Sequence, residues 1–185
     1  MKRKEAIQYI SYLLGGTLVA SGNFLAGCKN IDHENDFAAD DIAYLDEIAE
    51  TILPVTNTPG AKAAGVGEFM TVMVTDCYDE KQRQVFKEGM KKINAVAKEK
   101  FKNSFMKISS QQKHDLLVQL DKEQKQFMKG KKENVPSHYF RMMKELTLLG
   151  YFTSEIGCTK AKRYVTVPGR FEGCIPYKKG DKAFA

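Results

Sequence analysis

Apolar residues recur every three or four positions in five separate segments between residues 41 and 150. That spacing places them on one face of an α-helix, whereas a half-buried strand would alternate apolar and polar residues. No alternation of useful length interrupts the pattern. Hydrophobic residues make up 43% of the chain, which is enough to build a core beneath those faces. The sequence therefore predicts an all-α fold, with about five helices in a compact bundle.

Residues that start or stop helices set the bounds of these segments. Asp40 is suited to cap the first helix, and Pro54 ends it. Ser109 or Ser110 caps the fourth helix, and Pro136 opens the fifth. The predicted helices cover residues 41–53, 66–78, 80–101, 110–127 and 136–150.

The first 28 residues have the three parts of a secretory signal. A basic start, Lys2-Arg3-Lys4, precedes an apolar stretch that ends in Leu25-Ala26-Gly27-Cys28. These last four residues resemble a bacterial lipobox, in which the cysteine thiol is acylated and the chain is cut just before it. We therefore predict a lipoprotein-type signal peptide over residues 1–27 and a lipid attached to Cys28. The basic start is also similar to a twin-arginine signal with one Arg replaced by Lys, so both export routes stay open.

The alternative for this segment is an amphipathic helix buried in the fold, with Cys28 as a filler. Gly15, Gly16 and Gly22 lie inside the apolar run. Each of them would cost a folded helix roughly 1 kcal/mol. A transient export signal does not bear that cost, so we favour the signal.

A lipid at Cys28 sets the organisation and the compartment of the mature chain. Residues 28–39 are polar and are predicted to tether the lipid to a helical domain over residues 40–185. The protein is then expected in the cell envelope, lipid-anchored and facing the periplasm. Lys29 directly after the cysteine resembles lipoproteins that are sent on to the outer membrane of Gram-negative bacteria.

The formal net charge of +6 would suit a nucleic acid or an anionic membrane surface as a partner. Removal of residues 1–27 lowers this charge to about +4, and the remainder is scattered. A protein exported to the envelope does not meet nucleic acid. We therefore predict no nucleic-acid partner, and a membrane contact through the lipid anchor.

The residue types that carry chemistry occur without the spacing that active sites need. Three histidines have no His or Cys three or four residues away with which to share a metal, and we expect them on the surface: His33, His114 and His138. The glycines between residues 60 and 67 follow no strand and precede no Gly-Lys-Ser/Thr. Carboxylates such as Asp46, Glu47 and Glu50 fall on the polar side of a helix, which indicates a solvated face. The sequence thus predicts no catalytic, cofactor-binding or metal-binding residue.

Two cysteines near the C-terminus, Cys158 and Cys174, flank an aperiodic span of 15 residues. In an oxidising compartment, a disulfide that closes this span is worth roughly 3 kcal/mol in the chain-entropy model. We predict this disulfide, and the alternative is two separate buried thiols. Cys77 falls on an apolar helix face, where we expect a small core residue.

Apolar residues in excess of the helical faces indicate a binding surface for another protein. They are concentrated in an irregular C-terminal tail, residues 151–185, and near the turn at residues 58–61. A tail this apolar must pack on something, and aromatic residues are frequent hot spots of protein interfaces. The predicted partner-binding residues are Thr58, Pro59, Gly60, Ala61, Tyr151, Phe152, Tyr164 and Phe171. The alternative is a tail that folds back over its own helices.

Two groups of short motifs lie far apart in the sequence, one starting at the end of the first predicted helix and one at the end of the fifth. The first group comprises Ile52-Leu53-Pro54, Thr58-Pro59-Gly60-Ala61, Gly65-Val66 and Phe69. The second comprises Gly150-Tyr151-Phe152-Thr153-Ser154-Glu155-Ile156-Gly157, Tyr164, Val167-Pro168-Gly169 and Gly173-Cys174. In this order and at this spacing, they resemble the gluconate 2-dehydrogenase subunit 3 family over residues 40–177.

The resemblance implies a small, cofactor-free subunit that accompanies a large flavin-dependent oxidoreductase of the glucose-methanol-choline type. FAD is then expected on that partner, and a cytochrome c is a further expected partner because electrons usually pass onward to a cytochrome or quinone. The expected function is a non-catalytic small subunit, of the gamma type, that binds, matures or helps export a sugar or sugar-acid dehydrogenase. Two alternatives stay open: a stand-alone envelope lipoprotein that binds a sugar or a peptide in a concave pocket, and an enzyme in its own right.

Overall fold

The computed structural model of the chain describes residues 37–167, 169–170 and 173–184. Five α-helices account for most of them: α1 (Ala39–Ile52), α2 (Val66–Cys77), α3 (Glu80–Phe101), α4 (Ser110–Lys129) and α5 (Tyr139–Thr153). Two 3-10 turns (Lys62–Ala64 and Phe105–Lys107) and a π-helical turn (Gly157–Ala161) complete the regular structure. The described residues contain no β-strand, so the predicted all-α fold is confirmed. None of these helices combines the length and the apolar character needed to cross a bilayer.

Side-chain caps fix the starts of α3 and α4 where the sequence predicts them. Asp79 accepts a hydrogen bond from the Gln82 backbone N–H at 2.8 Å, and Ser109 accepts one from the Gln112 N–H at 3.3 Å. Each glutamine side chain accepts in return from the backbone N–H of its cap residue, which completes a capping box. Such caps are worth about 1 kcal/mol each, and they depend only on residues three positions apart.

The first helix starts two residues before the predicted position. Asp40 lies within α1, and Ala38 occupies the N-cap position instead. Asp41 accepts a hydrogen bond from the Ala38 backbone N–H at 3.0 Å. An acid in the first turn of the helix therefore satisfies a terminal donor without an Asp cap.

The fifth helix starts at Tyr139 rather than at Pro136. His138 caps this helix, because its ring Nδ1 accepts a hydrogen bond from the Phe140 backbone N–H at 3.3 Å. His138 is buried, with its ring against those of Phe127 and Tyr139. The prediction that this histidine lies on the surface is therefore wrong, whereas His114 is exposed as expected.

The core lies where α1 and α5 meet the other helices. The first helix packs against α2, α4 and α5, and α5 also contacts α2, α3 and α4. Every helix contributes buried side chains, as does the Phe105–Lys107 turn. They include Leu45, Ile48, Met70, Phe86, Ile93, Phe105, Leu116, Phe140 and Met143. Burial of one such side chain stabilises the fold by about 1.5–3 kcal/mol.

Phe37, which falls in the predicted tether, is part of this core. Its ring packs edge-on against Phe86, with centroids 6.3 Å apart and an interplanar angle of 85°. The Lys87 ammonium lies 5.2 Å from the centroid of the Phe37 ring. The packed domain therefore includes a residue two positions before α1.

The described tail is exposed from Arg163 onward. Tyr164 is 54% exposed and Tyr177 is 75% exposed, so these aromatic rings do not fold back over the helices. The two ends of the tail pair instead with each other. The Arg163 N–H donates to the Ala183 carbonyl oxygen at 2.8 Å, and the Arg163 guanidinium lies 4.2 Å from the Phe184 ring centroid. The expectation of an irregular tail is confirmed for the described residues after 161, whereas residues 151–153 belong to α5 and residues 157–161 to the π-helical turn.

Candidate functional site

The loop between α1 and α2, residues 53–65, contains most of the first motif group and is bound by carboxylates of α1. Glu50 accepts hydrogen bonds from the backbone N–H groups of Val55 and Lys62, both at 2.9 Å. One carboxylate therefore holds both arms of the loop. Bonds from backbone N–H groups to a carboxylate are stronger than those to a neutral acceptor.

Gly60 provides the space that the Glu50 carboxylate occupies. A Cβ atom at position 60 would lie 2.3 Å from both carboxylate oxygens. The next residue, Ala61, is fully buried, and its N–H donates to the Leu53 carbonyl oxygen at 2.9 Å. The close approach of a carboxylate therefore explains why this turn contains glycine.

Asp46 binds the first turn of α2. Its Oδ1 accepts a hydrogen bond from the Gly67 backbone N–H at 2.7 Å, at a position where helix N–H groups lack partners within the helix. Burial raises the pKa of Asp46, and the Gly67 N–H and the nearby Lys62 ammonium oppose that rise. The acid also lies at the positive end of the α2 dipole, which stabilises its charged form.

Glu47 links the loop to α4. Its carboxylate lies 2.8 Å from the Lys113 ammonium on α4 and 3.6 Å from the Lys62 ammonium in the loop. Lys113 is only 7% exposed, and its Nζ lies 5.8 Å from the Phe105 ring centroid. The hydrogen bond from Lys113 lowers the pKa of Glu47 by more than burial raises it.

These three carboxylates do not form the solvated face that the helical pattern indicates. Asp46, Glu47 and Glu50 are each partly buried, and each bonds a group outside α1. Sequence analysis missed this role because a polar helix face has the same pattern whether it meets water or backbone N–H groups. The available signal was the position of three acids directly before a loop rich in Gly and Pro, whose N–H groups need acceptors.

Tyr151 in α5 connects the second motif group to the first. Its hydroxyl donates a hydrogen bond to the Pro59 carbonyl oxygen at 2.7 Å and lies 3.5 Å from Thr58 Oγ1. The side chain is 4% exposed, and its ring packs edge-on against Phe152. We call the loop 53–65, the three α1 carboxylates and Tyr151 the junction.

The second motif group turns the chain sharply after α5. Ser154 Oγ donates to the Tyr151 carbonyl oxygen at 2.7 Å and accepts from the Gly157 N–H at 3.0 Å. A Cβ atom on Gly157 would lie 1.8 Å from that carbonyl oxygen, so a larger residue cannot fit. The Cys158 thiol donates to the Phe152 carbonyl oxygen at 3.4 Å. These contacts set the direction in which the tail leaves α5.

The predicted Cys158–Cys174 disulfide is absent from the structure, where both residues are free thiols. Cys158 is half-buried in the turn after α5, whereas Cys174 is exposed in the tail. Cys77 is exposed as well, with its sulfur 4.0 Å from that of Met73, so the prediction of a core cysteine is wrong. Cys28, the predicted lipid attachment site, lies outside the described residues.

The residues predicted to bind a partner differ in accessibility. Three of them are buried by the chain itself: Gly60, Ala61 and Tyr151. Three others are half-buried: Thr58, Pro59 and Phe152. Tyr164 is exposed. Phe171 lies outside the described residues. The hydrogen bond from Tyr151 to Pro59 brings the buried and half-buried residues together, while Tyr164 belongs to the tail.

Several exposed apolar side chains that sequence analysis did not assign to a binding surface lie in the loop, on α2 and on α5. They are Val55 in the loop, Val72 on α2, and Leu148 and Leu149 on α5. The second and fifth helices pack directly against each other, and a Cβ atom on Gly150 would lie 2.6 Å from the Phe69 ring. The two helices therefore carry exposed apolar residues beside a tight mutual contact.

A cavity of about 520 Å³ lies between α3, α4 and the chain that precedes α5. Its mostly apolar wall includes Phe127, His138 and Tyr139, and His138 Nε2 lies 3.6 Å from Glu123 Oε1. Burial lowers the pKa of His138, and Glu123 opposes this shift. Burial, together with Glu123, raises the pKa of Tyr139 to about 12. In the described part of the chain, no three or more His, Cys, Asp or Glu residues are placed to hold a metal ion.

Fold and junction together define the class: a small all-α domain whose motif residues hold helices, a loop and a tail in place. The family model for gluconate 2-dehydrogenase subunit 3 matches residues 39–169, from the start of α1 into the tail. The chain belongs to the gluconate 2-dehydrogenase subunit 3 family. This confirms the family resemblance, although the match ends at residue 169 rather than at 177. No curated protein and no solved structure matches the chain.

Proposed function

We propose that this chain is the non-catalytic small subunit of a flavin-dependent sugar or sugar-acid dehydrogenase, which it binds and helps to mature or export. The large subunit is of the glucose-methanol-choline type, carries FAD and performs the catalysis, and a cytochrome c receives the electrons. The observation that carries this proposal is the family match over residues 39–169, which spans the whole junction. A family described as a dehydrogenase subunit supports an accessory role in a complex.

A surface that the chain's own fold leaves apolar supports the same proposal. The exposed apolar residues of the loop, of α2 and α5 and of the described tail are Val55, Val72, Leu148, Leu149, Tyr164, Val165, Val167, Ile175, Tyr177 and Phe184. Contiguous apolar surface is typical of sites that bind other proteins, and a stable complex buries upwards of about 1,000 Å². The junction then serves to fix α2 and α5, which carry part of this surface.

We further propose that the chain acts in the cell envelope. The lipobox-like Leu25-Ala26-Gly27-Cys28 supports export and a lipid on Cys28, which holds the complex at the periplasmic face of the outer membrane of a Gram-negative bacterium. One acyl chain gives marginal membrane binding, whereas several give stable anchoring. Assembly with the dehydrogenase subunit takes place there or before export.

A pull-down from the native envelope tests the subunit role. The tagged full-length chain should recover a yellow flavoprotein that reduces a dye in the presence of a sugar or a sugar acid. The double variant Val72→Glu/Leu149→Glu should lose most of that flavoprotein, because it places two charges in the apolar surface. Val118→Glu, an exposed apolar position on α4, is the matched control and should retain it.

One result would count decisively against the subunit role. It is recovery of a colourless chain without a partner, together with unchanged sugar-oxidising activity in a strain that lacks the gene. That result would favour the second candidate, a stand-alone lipoprotein that binds a sugar or a peptide. The cavity of about 520 Å³ beside His138 and Glu123 supports this candidate, and calorimetric titration with sugars and short peptides tests it.

A further inference from the structure

Positive charge is not scattered over the mature chain, as the sequence analysis held, but is concentrated in its last 29 residues, within the tail. Residues 157–185 contain seven Lys and Arg against two Asp and Glu, whereas residues 28–156 contain 19 basic and 20 acidic residues. Once the predicted signal peptide is removed, the tail therefore carries the whole net positive charge of the chain. A concentrated charge of one sign attracts partners of the opposite sign and raises their association rate.

The pairing of the two tail ends gathers several of these cations at one place. The bond from the Arg163 N–H to the Ala183 carbonyl brings Lys182 beside the π-helical turn, where its ammonium donates to the Lys160 carbonyl oxygen. A hollow of about 390 Å³ lies there. Its wall consists of Thr159, Lys162, Arg163, Tyr164, Asp181 and Lys182. We call it the cationic hollow, because three of its six residues are cations and one is an acid.

Aromatic rings hold two of these cations in place. The Lys162 ammonium lies 5.2 Å from the Phe152 ring centroid, and the Arg163 guanidinium lies 4.2 Å from that of Phe184. Cations that rest on aromatic faces have less conformational freedom to lose when they bind a ligand. The Phe152 ring also packs edge-on against Tyr151, so the cationic hollow is in contact with the junction through Phe152.

We infer that the cationic hollow receives Asp or Glu side chains from an acidic surface of a protein partner. The inference rests on the proposed function, under which that partner is the dehydrogenase subunit. Lysine and arginine donate charge-assisted hydrogen bonds to carboxylates, and the planar arginine group can bind both oxygens at once. The exposed rings of Tyr164 and Phe184 add apolar contacts beside these ion pairs.

The composition of the hollow favours a protein surface over an anionic membrane. Asp181 lies among the cations, and a uniformly negative lipid surface would repel it. A protein surface, by contrast, can place a basic residue opposite Asp181 and acids opposite Lys162 and Lys182. The hydroxyl groups of Thr159 and Tyr164 likewise suit a patterned array of donors and acceptors.

Charge reversal in the full-length chain tests the inference. Lys162→Glu/Lys182→Glu leaves the contact between Arg163 and Phe184 in place, and the matched control reverses two exposed lysines of the bundle, Lys81→Glu/Lys107→Glu. Circular dichroism and the thermal midpoint establish that both variants fold like wild type. The first probe is an octaglutamate peptide, whose binding should weaken at least tenfold in the tail variant and as salt rises. The control variant should bind it within about twofold of wild type, since long-range charge effects are screened.

The second probe is the flavoprotein recovered from the native envelope. The tail variant should recover it at least tenfold less well than the control variant. Equal recovery of the flavoprotein by both variants overturns the inference and leaves the proposed function standing. If even the wild-type chain recovers no flavoprotein, the proposed function is wrong. Binding of the octaglutamate peptide still tests the cationic hollow in that case.

Two further outcomes overturn the inference. One is octaglutamate binding that falls equally in both variants, which would mean that overall charge and not the hollow attracts the peptide. The other is loss of binding to phosphatidylglycerol-containing vesicles in the tail variant, with unchanged recovery of the flavoprotein. That pattern would assign the cationic hollow to a membrane surface.

Discussion

The Tyr151 hydroxyl donates a hydrogen bond to the Pro59 carbonyl oxygen at 2.7 Å, across 92 residues of sequence. Tyr151 lies in the last turns of α5, and Pro59 lies in the loop between α1 and α2. The bond joins two motif groups that lie far apart in the sequence. Each supplies half of one junction, which fixes the loop, the second helix and the start of the tail.

Tyr151→Phe should lower the free energy of unfolding by about 1–2 kcal/mol, because the partly buried Pro59 carbonyl loses its donor while the ring still fits. Tyr177→Phe is the matched control, since Tyr177 is 75% exposed in the tail, and it should change the unfolding free energy by less than about 0.5 kcal/mol. Urea denaturation monitored by circular dichroism gives both values. Equal losses of stability in the two variants would show that the Tyr151 hydrogen bond does not stabilise the fold.

Gly60→Ala should destabilise the protein by about 1–3 kcal/mol, because the added Cβ overlaps the Glu50 carboxylate. Gly130→Ala is the control, since nothing lies within 4 Å of a Cβ atom there, and it should be neutral or slightly stabilising. Thermal unfolding of both variants compares them. In a Glu50→Ala background the cost of Gly60→Ala should shrink, and a cost that stays unchanged would contradict the proposed clash.

Glu47→Gln should cost more stability than Lys113→Met, because the first change leaves the buried Lys113 ammonium without its charged partner. We expect Glu47→Gln to lower the free energy of unfolding by about 1–3 kcal/mol, which is less than for a fully buried pair because Glu47 is partly exposed. We expect Lys113→Met to lower it by less than about 1 kcal/mol. Urea titration at neutral pH measures the difference. The opposite order of the two costs would show that packing of Lys113 outweighs its charge.

The same pair predicts a loss of stability in acid. Since Lys113 lowers the folded-state pKa of Glu47 below its ordinary value of 4.5, the pair stabilises the fold fully above that value. Its contribution disappears as the pH falls through the lowered pKa. A series of urea midpoints from pH 7 to pH 3 should therefore fall less steeply for Glu47→Gln than for wild type.

His138→Asn should weaken the dependence of stability on pH near and below 6.5. Burial lowers the folded-state pKa of His138 below its ordinary value of 6.5, so the unfolded chain takes up the proton first. Stability is then intact above pH 6.5 and falls as the pH decreases toward the folded-state pKa. Asparagine keeps a helix cap without a titrating group, and exposed His114→Asn is the control. A pH slope that His138→Asn leaves unaltered would contradict the assignment.

Cys28→Ser should abolish lipid attachment. In cells grown with radiolabelled palmitate, the wild-type chain should carry label and move to the membrane fraction, while the variant should do neither. Cys77→Ser is the control, because Cys77 lies on the bundle surface and should leave labelling unchanged. The lipobox assignment is wrong if the Cys28→Ser variant is labelled as strongly as wild type.

Much of the fold could be predicted because it depends on neighbouring residues. The spacing of Phe86, Met90, Ile93 and Ala97 marks one face of α3 without any knowledge of what covers it. The capping boxes at Asp79 and Ser109 likewise need only residues three positions away. The junction could be predicted only in part: the motif residues stand out in the sequence, but their contacts do not.

Local sequence thus determined where the helices lie, since the periodicity of a helix and its caps act over a few residues. It also determined the family, through motifs whose residue types and spacing can be read along the chain. Only the tertiary structure decided the roles of Glu50, Tyr151 and His138, because their partners come from the folded path of the chain. Likewise, the pairing of Arg163 with Ala183 and Phe184 brings to one hollow cations that lie up to 20 residues apart in the sequence. A polar residue looks the same in sequence whether water or a distant backbone group finally satisfies it.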